Sequence, residues 1–219
     1  MKKLYSLIMV LALLFTFAAC SNNTNHDDSS PTQQQSNTQN TVPDEESGEA
    51  NDASTPTETG SKSLVVYFSW SGNTENVAKS IQSQTDSDIF EIGPATPYSD
   101  DYDTVVDLAQ EEQRNNARPA ISGSIENIEQ YDVVYVGFPN WWGDMPMILY
   151  TFFDTYDLSD KTVALFCTSG GSGLSNTVNE VKTLEPNATV TDGLHIRDNA
   201  ADNPESAVGD WLNDIGLAK

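Results

Sequence analysis

The chain opens on an apolar stretch, turns almost wholly polar, and from about residue 63 alternates between two apolar patterns. The region from Ser63 to Lys219 carries the fold. Leu64-Val65-Val66-Tyr67-Phe68 is a continuous apolar run, as expected of a parallel strand buried on both faces. Val133 to Phe138 and Val163 to Cys167 are two more runs of this kind. Asp88 to Ile92 predicts a shorter strand, and Thr189 to Ile196 a weaker edge strand interrupted near Gly193. Helical spacing fills the intervals. Val77, Ala78 and Ile81 share one face of a helix over Asn73 to Gln84, and Tyr102, Val105, Val106 and Ala109 fall at i, i+3, i+4 and i+7. Pro146 suits the first turn of a third helix, and Leu174, Val178 and Val181 mark a fourth. Asn203-Pro204 starts a fifth, with Val208, Trp211, Leu212 and Ile215 as its buried stripe. Five strands alternating with helices predict an α/β fold with an open, doubly wound parallel sheet covered on both faces. Right-handed crossovers leave few topologies for it.

The apolar stretch has a different purpose. Lys2 and Lys3 precede a run from Leu4 to Ala19 broken only by Ser6 and Thr16, and Cys20 follows. A short basic segment, an apolar segment of this length and small residues before a cut site make a secretory signal over residues 1–19. The run is too short and wrongly flanked for a stable membrane span. Phe17-Ala18-Ala19-Cys20 resembles the bacterial lipobox, which implies lipidation of Cys20 as the mature N-terminus and an extracytoplasmic chain held to the cell membrane. Residues 20–62 are Ser, Asn, Thr, Gln, Asp and Glu with hardly an aliphatic side chain, too little apolar surface to offset ordering. This segment reads as a disordered acidic tether.

Charge narrows the partners. The whole chain carries 10 Lys and Arg against 33 Asp and Glu, a net −23, and loss of Lys2 and Lys3 takes it to −25. Phosphate backbones need clustered Lys and Arg, so nucleic acid is excluded as a partner. An anionic membrane repels such a surface, which leaves lipid on Cys20 as the means of attachment. Cys167 is the only other cysteine, so no internal disulfide of the mature chain is expected. A monomer is expected, and the negative field is compatible with steering toward basic protein partners.

Ligands in such sheets bind beyond the carboxyl ends of the strands, where the strand order reverses. Three segments there are unusual. Ser69-Trp70-Ser71-Gly72-Asn73-Thr74 leads from the first strand into a helix, and its hydroxyls, glycine and free N–H groups suit a phosphate without a cation. It is neither a Walker A loop, which needs a Lys, nor a dinucleotide-binding glycine pattern. Pro139-Asn140-Trp141-Trp142-Gly143-Asp144 places two adjacent tryptophans on a loop, where a flat aromatic ligand would explain at least one. Thr168-Ser169-Gly170-Gly171-Ser172-Gly173 lets backbone approach a ligand closely.

On these residues the stretch from Leu64 to about Leu217 resembles the flavodoxin-like family, particularly its lipoprotein members. The first loop is similar to the family's FMN-phosphate loop, and Trp142-Gly143-Asp144 to the string that covers the flavin ring. The resemblance implies sheet order 2-1-3-4-5 and one non-covalently bound FMN. It implies that Ser69, Ser71, Gly72, Asn73 and Thr74 hold the phosphate, with Trp70 in the same loop. Trp141 or Trp142 would stack on the ring, flanked by Pro139 and Asn140. Gly143 would offer the peptide whose carbonyl can turn toward flavin N5. The residues from Thr168 to Gly173 would form the second ring loop. Where many members place a Tyr there, this chain offers Gly, Ser and Thr, so the second ring face is open or covered by Tyr98.

Other residues attract less. His195 lies on the edge strand with no partner in sequence and reads as a surface histidine. Cys167 reads as a small apolar filler. Arg114 and Arg118 read as solvated, within reach of a pocket rim. No spacing suits metal ligands, and no residue is assigned a catalytic role. Three functions stay open: electron transfer through FMN with a redox protein or a membrane electron donor as partner, FMN-dependent reduction of quinones or similar acceptors, and a flavin-free binding lipoprotein.

Overall fold

The computed structural model describes residues 61–219. The segment read as a secretory signal, Cys20 and nearly all of the segment read as a tether lie outside the described residues. Lys62, assigned to the tether from its neighbours, belongs to the domain. Its carbonyl accepts from the Asp132 and Val133 N–H groups, and its ammonium meets Asp88 at 2.9 Å.

The chain runs β1 (Ser63–Tyr67), α1 (Asn73–Thr85), β2 (Asp88–Glu91), β3 (Gly93–Pro94), α2 (Tyr102–Arg114), β4 (Ile121–Ser122), β5 (Val133–Pro139), α3 (Met147–Thr155), β6 (Thr162–Ser169), α4 (Thr177–Leu184), β7 (Thr189–Val190), β8 (Leu194–Arg197) and α5 (Glu205–Asp214). The main sheet is parallel, in the order β2-β1-β5-β6-β7, with β8 also on β6. The expected fifth strand is thus one edge position filled by two short pieces. Gly193 separates them where a Cβ would come within 3.1 Å of the Leu165 carbonyl and 2.7 Å of the Leu174 side chain. A small antiparallel pair, β3 with β4, was not anticipated.

Strand alternation divides the core. Val65 and Tyr67 pack with Val77 and Ile81 of α1 and with Val208 and Trp211 of α5. Leu64, Val66 and Phe68 pack on the other face with Ile148 and Phe152 of α3 and Val181 of α4. Both faces are therefore covered, which is why the middles of β1, β5 and β6 are apolar runs, with Ser63, Thr162, Thr168 and Ser169 only at strand ends. Helix starts differ in detail from expectation. Pro146 and Pro204 sit just outside α3 and α5 rather than in their first turns, neither helix has a side-chain cap, and Leu174 lies ahead of α4.

Candidate functional site

The ladder between β5 and β6 runs in register to Pro139 opposite Thr168, and the Asn140 N–H donates to the Thr168 carbonyl at 2.9 Å. The second and third loops therefore leave the sheet at the same height. The first loop joins them through Thr74, which is buried and shares a 2.9 Å hydrogen bond between its hydroxyl and that of Thr168. All three loops converge at one sheet edge.

In the first loop the Ser69 hydroxyl oxygen accepts from the Gly72 and Glu75 N–H groups, at 3.2 and 3.3 Å, and so caps α1. Gly72 is left-handed, with φ +89°, a conformation that side chains resist. The Asn76 N–H bonds the Gly72 carbonyl. Among the described residues, the N–H groups of Ser71, Asn73 and Thr74 have no protein partner. No lysine or arginine lies in the loop. An anion of low proton count fits this donor set, because free N–H groups and the helix dipole provide the positive potential. Trp70 is half-buried, with its indole N–H donating to the Ser99 carbonyl at 2.9 Å.

The second loop closes in a tight turn, with the Trp141 and Asp144 backbones exchanging hydrogen bonds of 2.8 and 3.1 Å. Its two central residues have positive φ, 54° at Trp142 and 80° at Gly143. A tryptophan there costs roughly 1–2 kcal/mol. This backbone sends the two indoles in different directions. Trp141 packs edge-on against Phe68 and Tyr98, each 5.4 Å away, and is half-buried against the core. Trp142 remains 52% exposed and donates its indole N–H to the Val106 carbonyl of α2 at 3.0 Å. Tyr98 lies under Trp141, with its hydroxyl donating to Glu112 at 3.0 Å, so it is not free to cover a second ring face. Burial and the Glu112 carboxylate push the Tyr98 phenol strongly upward, and burial raises Glu112.

Asn140 is used up by the protein. Its side-chain oxygen accepts from the Gly143 N–H at 3.1 Å, and its amide donates to the Gly173 carbonyl at 2.8 Å and to the Ser175 hydroxyl at 3.1 Å. It clasps the second loop to the third. In the third loop Thr168 and Ser169 are buried, whereas Gly170, Gly171 and Ser172 are exposed. His195, read from sequence as unpartnered, meets the Ser169 hydroxyl at 2.9 Å, because β8 pairs with β6 and sets Cys167 opposite His195. Arg118 is engaged with Asp154 and lies over the Tyr150 ring rather than at the pocket. Between α2 and the tryptophans lies a cleft of about 270 Å³, lined by Trp70, Tyr102, Val105, Val106, Ala109, Asn140, Trp141 and Trp142. Among the described residues no group of His, Cys, Asp or Glu could hold a metal ion, and no helix is long and apolar enough to cross a membrane.

The family model described as Flavodoxin matches residues 62–215, the whole of the domain just built. The chain belongs to the flavodoxin family. It is 33% identical to a flavodoxin of Haemophilus influenzae over 106 residues, an alignment covering 47% of each chain, so it spans about half the length of that curated relative. A Bacteroides eggerthii protein, provisionally described as a flavoprotein, is similar over 72% of this chain and 99% of its own, at 35% identity and a TM-score of 0.65. A flavoprotein of Lactobacillus acidophilus solved in complex with FMN is similar over 67% of this chain and 99% of its own, at 27% identity and a TM-score of 0.56.

Proposed function

We propose that this flavodoxin-family chain binds one FMN without covalent linkage and passes electrons between redox partners outside the cytoplasm, tethered by lipid on Cys20. FMN is the cofactor. The observation that carries this reading is the set of unpartnered N–H groups on Ser71, Asn73 and Thr74 at a cation-free helix start, at the sheet edge where an exposed indole also stands. The Lactobacillus acidophilus relative solved with FMN supports it.

FMN, when bound, supplies one- and two-electron redox chemistry. The chain's own residues bind and orient it. Ser71, Asn73 and Thr74 would hold the phosphate through their free N–H groups, with the left-handed Gly72 shaping the turn between them, Trp142 would offer its exposed indole face, and the glycine-rich backbone from Gly170 to Gly173 would approach the ring closely. Asp144, fixed by the Tyr150 hydroxyl at 2.8 Å, places a carboxyl group beside the turn. Carboxylates around the loops disfavour added negative charge on the reduced cofactor and so lower its potential. The donor is a membrane component or a protein, since soluble nicotinamide cofactors are scarce outside the cytoplasm.

Two substitutions test the placement. Thr74→Ala keeps the Thr74 N–H but removes the hydroxyl that ties the start of α1 to Thr168, and is expected to weaken FMN binding about fivefold, the worth of one neutral hydrogen bond, read by fluorescence titration. Unchanged affinity would show that this tie does not align the helix start for the phosphate. Trp142→Ala is expected to cost on the order of tenfold to a hundredfold in FMN affinity with the unfolding midpoint unmoved. Trp141→Ala, which removes a ring packed against Phe68 and Tyr98, is expected to lower that midpoint. The opposite pattern would reverse the roles of the pair.

A second reading, reduction of quinones or similar flat acceptors, draws on the cleft beside Trp142, whose walls are mostly apolar and aromatic. Stepwise reduction of the FMN-loaded protein, followed in the visible spectrum, separates the two. Two resolved one-electron steps support the carrier. A single two-electron step followed by fast reoxidation with a quinone supports the reductase. A colourless protein that FMN cannot reconstitute contradicts both.

A further inference from the structure

Hydrogen-bond capacity at Ser169 orders a network that reaches from the edge strand to the tryptophan turn. A serine hydroxyl has one proton to donate and two lone pairs to accept with. The Ser169 oxygen accepts from the Gly171 N–H at 3.2 Å and from the Gly173 N–H at 3.1 Å, which occupies both lone pairs. Its remaining contact, His195 Nε2 at 2.9 Å, must then receive the Ser169 proton. His195 Nε2 is an acceptor, and the ring proton of the neutral imidazole sits on Nδ1. From Gly173 the connection continues. The Gly173 carbonyl accepts from the Asn140 amide at 2.8 Å, and the Asn140 oxygen accepts from the Gly143 N–H at 3.1 Å. One chain of four contacts links His195, through Ser169, Gly173 and Asn140, to the peptide next to Trp142.

We propose that His195 is a positioning residue of the flavin site, and that its neutral, Nδ1-protonated form holds both ring loops in their binding shape while protonation releases them. The proposal rests on the reading of these loops as the FMN site. Protonated imidazole donates from both nitrogens. Ser169 would then have to accept from His195 and give up either the Gly171 or the Gly173 N–H. The loop would reshape at the point where Asn140 grips it.

The charged surroundings of His195 come from a few elements. Opposite it on β6 stands Cys167, whose thiol is pushed up to about 12 by burial and by Asp198, and so stays protonated. Beyond it in sequence come Arg197 and Asp198, which lie against Gly171 and Gly170 with opposite charges. Leu194 and Ile196 pack with Val208, Trp211 and Leu212 of α5, so strand alternation turns His195 to the other face, away from Glu205, Asp210 and Asp214 of that helix.

The full chain has two histidines, His26 and His195, and His195→Gln tells their signals apart. Nitrogen-15 NMR of the imidazole rings, in protein without flavin, is expected to show His195 with Nδ1 protonated at neutral pH. The Gly171 and Gly173 amide signals should move as His195 takes up its second proton. FMN affinity, measured by titration across the same pH interval, is expected to fall about tenfold, one hydrogen bond's worth. In His195→Gln, whose side-chain oxygen still accepts from Ser169, that step should vanish with affinity kept at the neutral-pH level. His195→Lys, which can only donate, should bind weakly at every pH. An Nε2-protonated ring, or the same pH step in wild type and His195→Gln, would overturn the proposal. Absence of any FMN binding would refute the functional reading alone, and the NMR measurements would still decide the hydrogen-bond order.

Discussion

Riboflavin is expected to bind this protein about a thousandfold more weakly than FMN. The two differ by the phosphate alone, and the start of α1 is the part of the site built for it. Asn73 and Thr74 offer N–H groups without protein partners, at a helix end whose dipole adds to their potential. Hydrogen bonds to a charged group are worth about 1.5–3 kcal/mol each, so two or three of them supply the roughly 4 kcal/mol that a thousandfold requires. Because these donors are fixed backbone dipoles rather than lysines, the ratio should change little between low and high salt. Paired fluorescence titrations with the two ligands check it. A ratio below about tenfold would mean that the helix start does not hold the phosphate.

Gly137→Ala is expected to destabilise the fold by about 2–3 kcal/mol, toward the upper end for overpacking a core. Gly137 lies in β5 directly opposite Phe166 of β6. A Cβ built there would stand 2.1 Å from the end of the Phe166 ring, and that ring is fully buried. The ring cannot swing into solvent, so it or the strand must shift. The entropic advantage of alanine over glycine in a strand, roughly 0.5–1 kcal/mol, is too small to compensate. Since β5 feeds the tryptophan turn two residues later, FMN affinity should fall as well. Urea unfolding would show a lower midpoint at unchanged slope. A midpoint equal to wild type would show that the ring has room to move.

The central strands were legible in the sequence because burial on both faces leaves an unbroken apolar run in the middle of each, as in Leu64 to Phe68. The pieces of the edge position were harder to bound, since β7 pairs through only Thr189 and Val190. The β3–β4 pair was invisible, because Gly93-Pro94 and Ile121-Ser122 carry no strand pattern and meet only through tertiary packing. The three loops could be located because glycine, hydroxyl and indole residues stand where apolar strands end. Their internal division of labour could not. Two adjacent tryptophans are chemically identical, and the left-handed backbone at Trp142 that sends one against the core and one outward has no signature in a non-glycine residue. The role of Asn140 depends on Gly173, and that of His195 on a strand register linking residues 26 apart. Local pattern does not encode either distance.

A crystal structure of the full chain with FMN tests the central claim most directly. The phosphate should lie within hydrogen-bonding distance of the Asn73 and Thr74 N–H groups, with no lysine or arginine contacting it, and the ring should lie against Trp142. A phosphate bound to basic side chains elsewhere, with the start of α1 left to water, would contradict it.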